Sequence, residues 1–185
     1  LNTAAGTPSV VETIGKDVLL DLKFHDIPNT VAGAIKAAAL HQVKMLNVHC
    51  LGGKAMMAAA RAAANQVFGE TKTYRPLVIG VTILTSHDRA SLTSIGIDPS
   101  LSMEEVVRKL TILASESGLD GVVCSPKEIA MVKRTVRDDG FIVVAPGIRK
   151  NTDPQDDQKR TMSAREAVDL GANYLVIGRP ITQAA

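Results

Sequence analysis

The chain has 185 residues, 45% of them hydrophobic, which is enough for one domain with a substantial core and excludes a disordered chain. A net charge of +2 gives no argument for a nucleic-acid or membrane surface, and 3% aromatics without Trp argue against stacking platforms for single-stranded nucleic acid. With no signal peptide and no apolar run of membrane-spanning length, the expectation is a soluble cytoplasmic protein. The chain opens with a helix-like run, Ser9 to Ile14, ended by Gly15. An apolar strand follows at Val18-Leu19-Leu20-Asp21-Leu22-Lys23-Phe24, and His25-Asp26-Ile27-Pro28 turns out of it. Strand alternation puts Asp21 and Lys23 on one face and Leu20, Leu22 and Phe24 on the other. A carboxylate beside an ammonium on a greasy strand is costly to bury without a purpose. Asp26 lies beyond the strand end, Pro28 stiffens the loop, and Asn29 or Thr30 is placed to cap a helix running to Val43.

Met45 to Cys50 is the next strand, Gly52-Gly53 punctuates it, and Lys54 to Asn65 is an Ala-rich helix. Leu77 to Leu84 is a continuous apolar strand, followed by a long connection, Arg89 to Leu101, with room for a short helix. Ser102-Met103-Glu104-Glu105 is a capping box for a helix reaching Gly118. Gly121 to Cys124 is a strand, and Ser125-Pro126-Lys127-Glu128 is a second capping box, with its helix ending near Arg137. Phe141 to Ala145 is a strand, and Pro146 to Arg160 a long polar loop. Ser163-Ala164-Arg165-Glu166 is a third box, whose short helix stops at Gly171, and Tyr174 to Gly178 is the last strand. Cys50 and Cys124 end apolar strands and read as reduced buried thiols, with no zinc-site spacing.

Six strands alternate with helices, and they are continuously apolar, as in a parallel sheet covered on both faces. An open doubly wound sheet and a (β/α)8 TIM barrel both fit. Asp21, Lys23, Asn47, His49, Thr82 and Arg179 cluster at or just past strand C-terminal ends, where a barrel places its site, which favours the barrel. A closed barrel needs eight strands, however, and only six are read.

Asp21-Leu22-Lys23-Phe24-His25-Asp26-Ile27-Pro28-Asn29-Thr30 resembles the signature of the orotidine 5′-phosphate decarboxylase family. Asn47-Val48-His49, Val81 to Ser86, Gly118 to Ser125, Pro146-Gly147-Ile148-Arg149, Asp157 to Arg160 and Ile177 to Ile181 resemble its later blocks in the same order. The resemblance implies an α/β (β/α)8 barrel, working as a homodimer with shared active sites on a small-molecule nucleotide, without cofactor or metal. It makes the signature strand the third. Residues 1–185 are then one barrel domain, incomplete at both ends. It lacks the first strand and helix, the second strand with a further catalytic lysine, and the last helix.

The reaction it implies is decarboxylation of orotidine 5′-phosphate to UMP in pyrimidine biosynthesis. Loss of CO2 from the pyrimidine C6 leaves a carbanion with no conventional electron sink. Lys23 is suited to stabilise that charge and to protonate it, with Asp21 beside it keeping the lysine protonated. The resemblance sends Asp26, with Ile27 and Thr30, into the neighbouring subunit's site. It gives phosphate binding to Gly178 and Arg179, lets Gln158 bridge phosphate and base, and lines the pyrimidine pocket with Thr85 and Pro146. His25, His49 and Asn47 read as buried hydrogen-bonded groups rather than metal ligands, and Asn151 to Lys159 as a mobile lid. Two rivals remain. One is a Mg2+-dependent sugar-phosphate decarboxylase or aldolase of the same superfamily, against which the Phe24 to Thr30 run and the Gln158 loop count. The other is a catalytically incomplete phosphate-ligand-binding fragment.

Overall fold

A computed structural model of the chain describes residues 7–15, 17–72, 74–148 and 161–182. Its framework is a six-stranded, all-parallel sheet whose spatial order follows the chain order without a reversal. The strands are β1 (Leu19–Phe24), β2 (Met45–His49), β3 (Leu77–Val81), β4 (Gly121–Val123), β5 (Ile142–Ala145) and β6 (Tyr174–Leu175). A doubly wound sheet would change direction at a switch point, so consecutive order selects the barrel-type winding.

The helices are α1 (Thr7–Ile14), α2 (Pro28–Ala39), α3 (Gly53–Thr71), α4 (Arg89–Ser94), α5 (Met103–Glu116), α6 (Ile129–Thr135), α7 (Ala164–Asp169) and α8 (Arg179–Thr182). All three predicted capping boxes form, at Ser102/Glu105, Ser125/Glu128 and Ser163/Glu166. The second one opens a 3-10 turn, Pro126–Glu128, and α6 begins only at Ile129. Neither Asn29 nor Thr30 caps α2. The helix starts at Pro28 with Ile27 as its N-cap and no side-chain cap bond. Proline at the first helical position supplies a helical φ and has no N–H to satisfy, which makes the side-chain cap dispensable. The last strand is also shorter than the apolar run to Gly178 predicts, because only Tyr174 and Leu175 pair with β5.

Strand parity sorts the core into two layers. Leu46 and Val48 of β2, Val78 of β3, Val122 of β4 and Val143 of β5 face outward, in the large core cluster that Ile35, Met56, Met57, Val107 and Ile129 fill from the helices. Met45, Ile79 and Val144 point to the other side and form a separate small cluster, flanked by Leu19, Leu77, Val123 and Ile142. That inner plug closes the sheet's concave side near the strand N-termini. Further along the same inward parity, beyond Leu19 and Met45, come Asp21 and Asn47.

Candidate active site

The inward-facing side chains at the strand C-terminal ends border a cleft of about 320 Å3. Its walls are mainly apolar, with Leu19, Val81, Ile83, Val123, Val144 and Val176 among them, and Asp21, Lys23 and Asn47 make up one polar corner. Small-molecule sites have this size and make-up, apolar walls with a few polar groups to fix orientation.

The polar corner is held by a distortion of β1. Leu20 pairs with Leu46 and Phe24 with Val48, so β1 spends four residues where β2 spends two. Within that irregularity Lys23 adopts a left-handed backbone, φ 49°. The other described non-glycine residues with positive φ, Gln42 and Lys72, lie in the turn after α2 and at the end of α3. A left-handed lysine inside a strand is the kind of strain that persists where surrounding structure over-determines it. Asp21 and Lys23 do share a side, as alternation predicts, but a bulge brings them together rather than an unbroken pleat. Lys23 Nζ donates to both Asp21 oxygens, at 2.7 Å each.

Asn47 completes the corner. It is 1% exposed. Its Nδ2 donates to Asp21 Oδ1 at 2.5 Å, and its Oδ1 accepts from the Lys23 backbone N–H at 2.7 Å. The sequence reading as a buried, hydrogen-bonded group holds, but it overlooked that both partners are the charged pair. The available signal was an amide at inward parity inside an otherwise apolar run, Met45 to Val48. His49 stacks near His25, ring centroids 5.5 Å apart. Burial, then the neighbouring His25 and Lys23, hold its pKa below the usual histidine value. Cys124 also borders the cleft and Cys50 is buried, its thiol pushed up to about 12 by burial.

Of the other predicted residues, Thr85 and Pro146 border the cleft. Asp26, Ile27 and Thr30 do not, and all three are exposed, with Asp26 Oδ1 accepting from the Ile27 N–H at 2.6 Å. Gly178 and Arg179 follow the end of β6, where Arg179 opens α8, outside the cleft wall. Gln158 and the predicted lid, Asn151 to Lys159, lie outside the described residues. Among the described residues bordering the cleft, Lys23 is the only basic one.

The family model described as "Orotidine 5'-phosphate decarboxylase / HUMPS family" matches residues 5–185. The chain belongs to this family. It is 50% identical over 182 residues to a protein of Pseudomonas aeruginosa named orotidine 5′-phosphate decarboxylase, covering 98% of this chain and 75% of that one. A Dichelobacter nodosus protein of the same name is 48% identical over 187 residues, covering 100% of this chain and 78% of its own. Among solved structures, the orotidine 5′-phosphate decarboxylase of Lactobacillus acidophilus is similar, with TM-score 0.80 and 34% identity, covering 95% of this chain and 72% of that one. Membership in the orotidine 5′-phosphate decarboxylase / HUMPS family agrees with the consecutive parallel winding and with a charged corner at the strand C-terminal ends. No described helix is long and apolar enough to cross a membrane.

Proposed function

We propose that this chain decarboxylates orotidine 5′-phosphate to UMP, in pyrimidine biosynthesis, and that Lys23 is its general acid. The observation that carries the reading is the Asp21–Lys23 pair, bonded at 2.7 Å on the wall of an apolar cleft, in a chain half identical to proteins of that name. In the proposed step the bond from C6 to the carboxylate breaks, CO2 leaves, and the electron pair stays on C6. The Lys23 ammonium stabilises that developing charge against the mainly apolar wall of the cleft and then transfers its proton to C6. The neutral amine takes a proton back from solvent. Asp21 orients the ammonium and faces the departing carboxylate.

In this reading the six strands occupy positions three to eight of the family's barrel, within one domain. Thr85 and Pro146 hold the base, and Gly178, Arg179 and Gln158 hold the phosphate. Asp26 and Ile27, exposed just before α2, and Thr30, exposed in its first turn, serve the partner subunit's site in a homodimer. No cofactor or metal takes part.

The test is consumption of orotidylate, followed spectrophotometrically with and without EDTA. Turnover that EDTA leaves intact is the expected result. Turnover abolished by EDTA would favour a Mg2+-dependent sugar-phosphate relative, and no turnover with retained UMP binding would favour a ligand-binding fragment. Shared sites have their own test. When a Lys23→Ala chain and an Asp26→Ala chain are mixed and allowed to exchange subunits, each mixed dimer regains one intact site, giving about a quarter of wild-type activity. No recovery on mixing would place Asp26 in its own subunit's site.

A further inference from the structure

We infer that Asn47 is a positioning residue for the reaction: its side-chain amide fixes Lys23 and Asp21 from the neighbouring strand. The inference rests on the decarboxylase reading of the cleft and assigns a role to a residue that the charged signature does not contain.

Where β1 departs from register, between Leu20 and Phe24, the regular β1–β2 ladder is interrupted. A backbone N–H in such a gap needs another acceptor or a water. The Lys23 N–H finds Asn47 Oδ1 at 2.7 Å. The side chain thus takes the place of the missing ladder carbonyl, and it does so at the residue with the left-handed backbone, φ 49°. Holding that N–H fixes the Lys23 Cα–Cβ direction, and so the arc that Nζ can sweep over the cleft. The other end of the same amide donates to Asp21 Oδ1 at 2.5 Å, while Lys23 Nζ reaches both carboxylate oxygens. One planar group with a fixed donor–acceptor separation therefore sets the Lys23 backbone and the Asp21 carboxylate relative to each other.

The chemistry of the position requires an amide. Asn47 is 1% exposed, so each polar atom must be satisfied by protein. An acceptor is needed toward an N–H and a donor toward a carboxylate. Asn supplies both on one short, stiff side chain. Asp would turn a second carboxylate toward Asp21, and Leu would satisfy neither partner. Asp21 and Lys23 are themselves only half-buried, with 49% and 39% of their side chains exposed. An exposed pair of this kind holds its geometry weakly by itself, and a fixed partner from β2 supplies the rigidity it lacks. A misplacement of about 1 Å at a reacting group costs on the order of 10²-fold in rate.

The test compares wild type, Asn47→Ala and Asn47→Asp by steady-state kinetics, UMP binding and amide hydrogen exchange. In Asn47→Ala, kcat is expected to fall about 10²-fold while KM and the UMP dissociation constant stay within about threefold. Exchange at the Lys23 amide is expected to accelerate at least about tenfold, with the β2 amides of Leu46 and Val48 unchanged. Asn47→Asp separates the two bonds: it keeps the acceptor, so Lys23 amide protection persists, yet kcat falls as in Asn47→Ala because the donor to Asp21 is gone. If Asn47→Ala does not fold, the isosteric Asn47→Asp carries the kinetic test alone. A kcat within about threefold of wild type in either folded variant overturns the inference. So does a loss found wholly in KM and UMP affinity, which would make Asn47 a substrate-binding group. The exchange measurement needs no turnover. An inactive wild type would therefore sink the decarboxylase reading, while unaltered Lys23 exchange in Asn47→Ala would sink the clamp.

Discussion

The two ends of the sheet each carry an aspartate with cationic partners, and they use them differently. At the strand N-terminal end, Asp120 precedes β4 and accepts from Arg61, from both Arg75 terminal nitrogens at 3.1 and 3.0 Å, and from the Val78 N–H at 2.8 Å. Its side chain is 11% exposed, and its guanidinium partners 22% and 27%. Both its oxygens are used up by protein, tying the middle of α3, the segment that leads into β3 and the start of β3 itself to β4. At the C-terminal end, Asp21 meets one ammonium and one amide, and its side chain stays half exposed over an apolar cleft. Ion pairs as open as this contribute little to stability. The floor cluster spends its charge on holding elements together. The mouth pair keeps part of its charge available to something that enters.

If that contrast is right, Lys23→Ala has the largest consequence, and only for activity. The rate of orotidylate decarboxylation falls about 10⁴-fold or more, since both proton donation and charge stabilisation are lost. The melting temperature moves by no more than about 2 °C, because an exposed pair adds little to folding. A melting temperature that collapses along with activity would make the mouth pair structural and erase the distinction.

Asp120→Ala is the mirror experiment. It strands two mostly buried guanidinium groups and the Val78 N–H, and it costs about 3 kcal/mol in denaturant unfolding. The residual kcat of the folded enzyme remains within about twofold of wild type. A change smaller than about 1 kcal/mol would show that the floor network is no stronger than a surface pair.

Ser125→Ala probes a structural group beside the cleft. Ser125 is fully buried, directly follows Cys124 of the cleft wall, and forms a reciprocal cap with Glu128. Its loss is expected to cost about 1 kcal/mol in urea unfolding, with KM altered less than twofold, so that stability and catalysis separate even at the mouth.

The smallest effect is a pH dependence of stability. His49 keeps its proton less readily when folded, because it is partly buried beside His25 and Lys23. As pH falls below the usual histidine value, the unfolded chain gains a proton that folded His49 still declines. Stability therefore drops from that pH downward, and levels off once folded His49 also titrates. Comparing melting temperatures at about pH 7.5 and 5.5 checks this. In His49→Gln the acid-side decline is shallower than in wild type.

Much of this protein can be read from its sequence. Continuous apolar strands with Ser-x-x-Glu boxes between them are enough to give parallel α/β architecture, because each of those signals is local. The capping boxes at Ser102, Ser125 and Ser163 are satisfied within four residues of chain, so tertiary context has little chance to override them. The signature Asp21-x-Lys23-x-x-Asp26 is equally local, and with the later blocks it points to the family. Strand order, the inner plug of Met45, Ile79 and Val144, and the sharing of one cleft by Thr85, Pro146 and the charged pair needed the folded sheet. Those facts relate residues far apart along the chain. The same reason hid the bulge at Lys23 and the double role of Asn47. Whether β1 loses register depends on what β2 offers it across 24 residues of sequence, and no pattern within either strand records that.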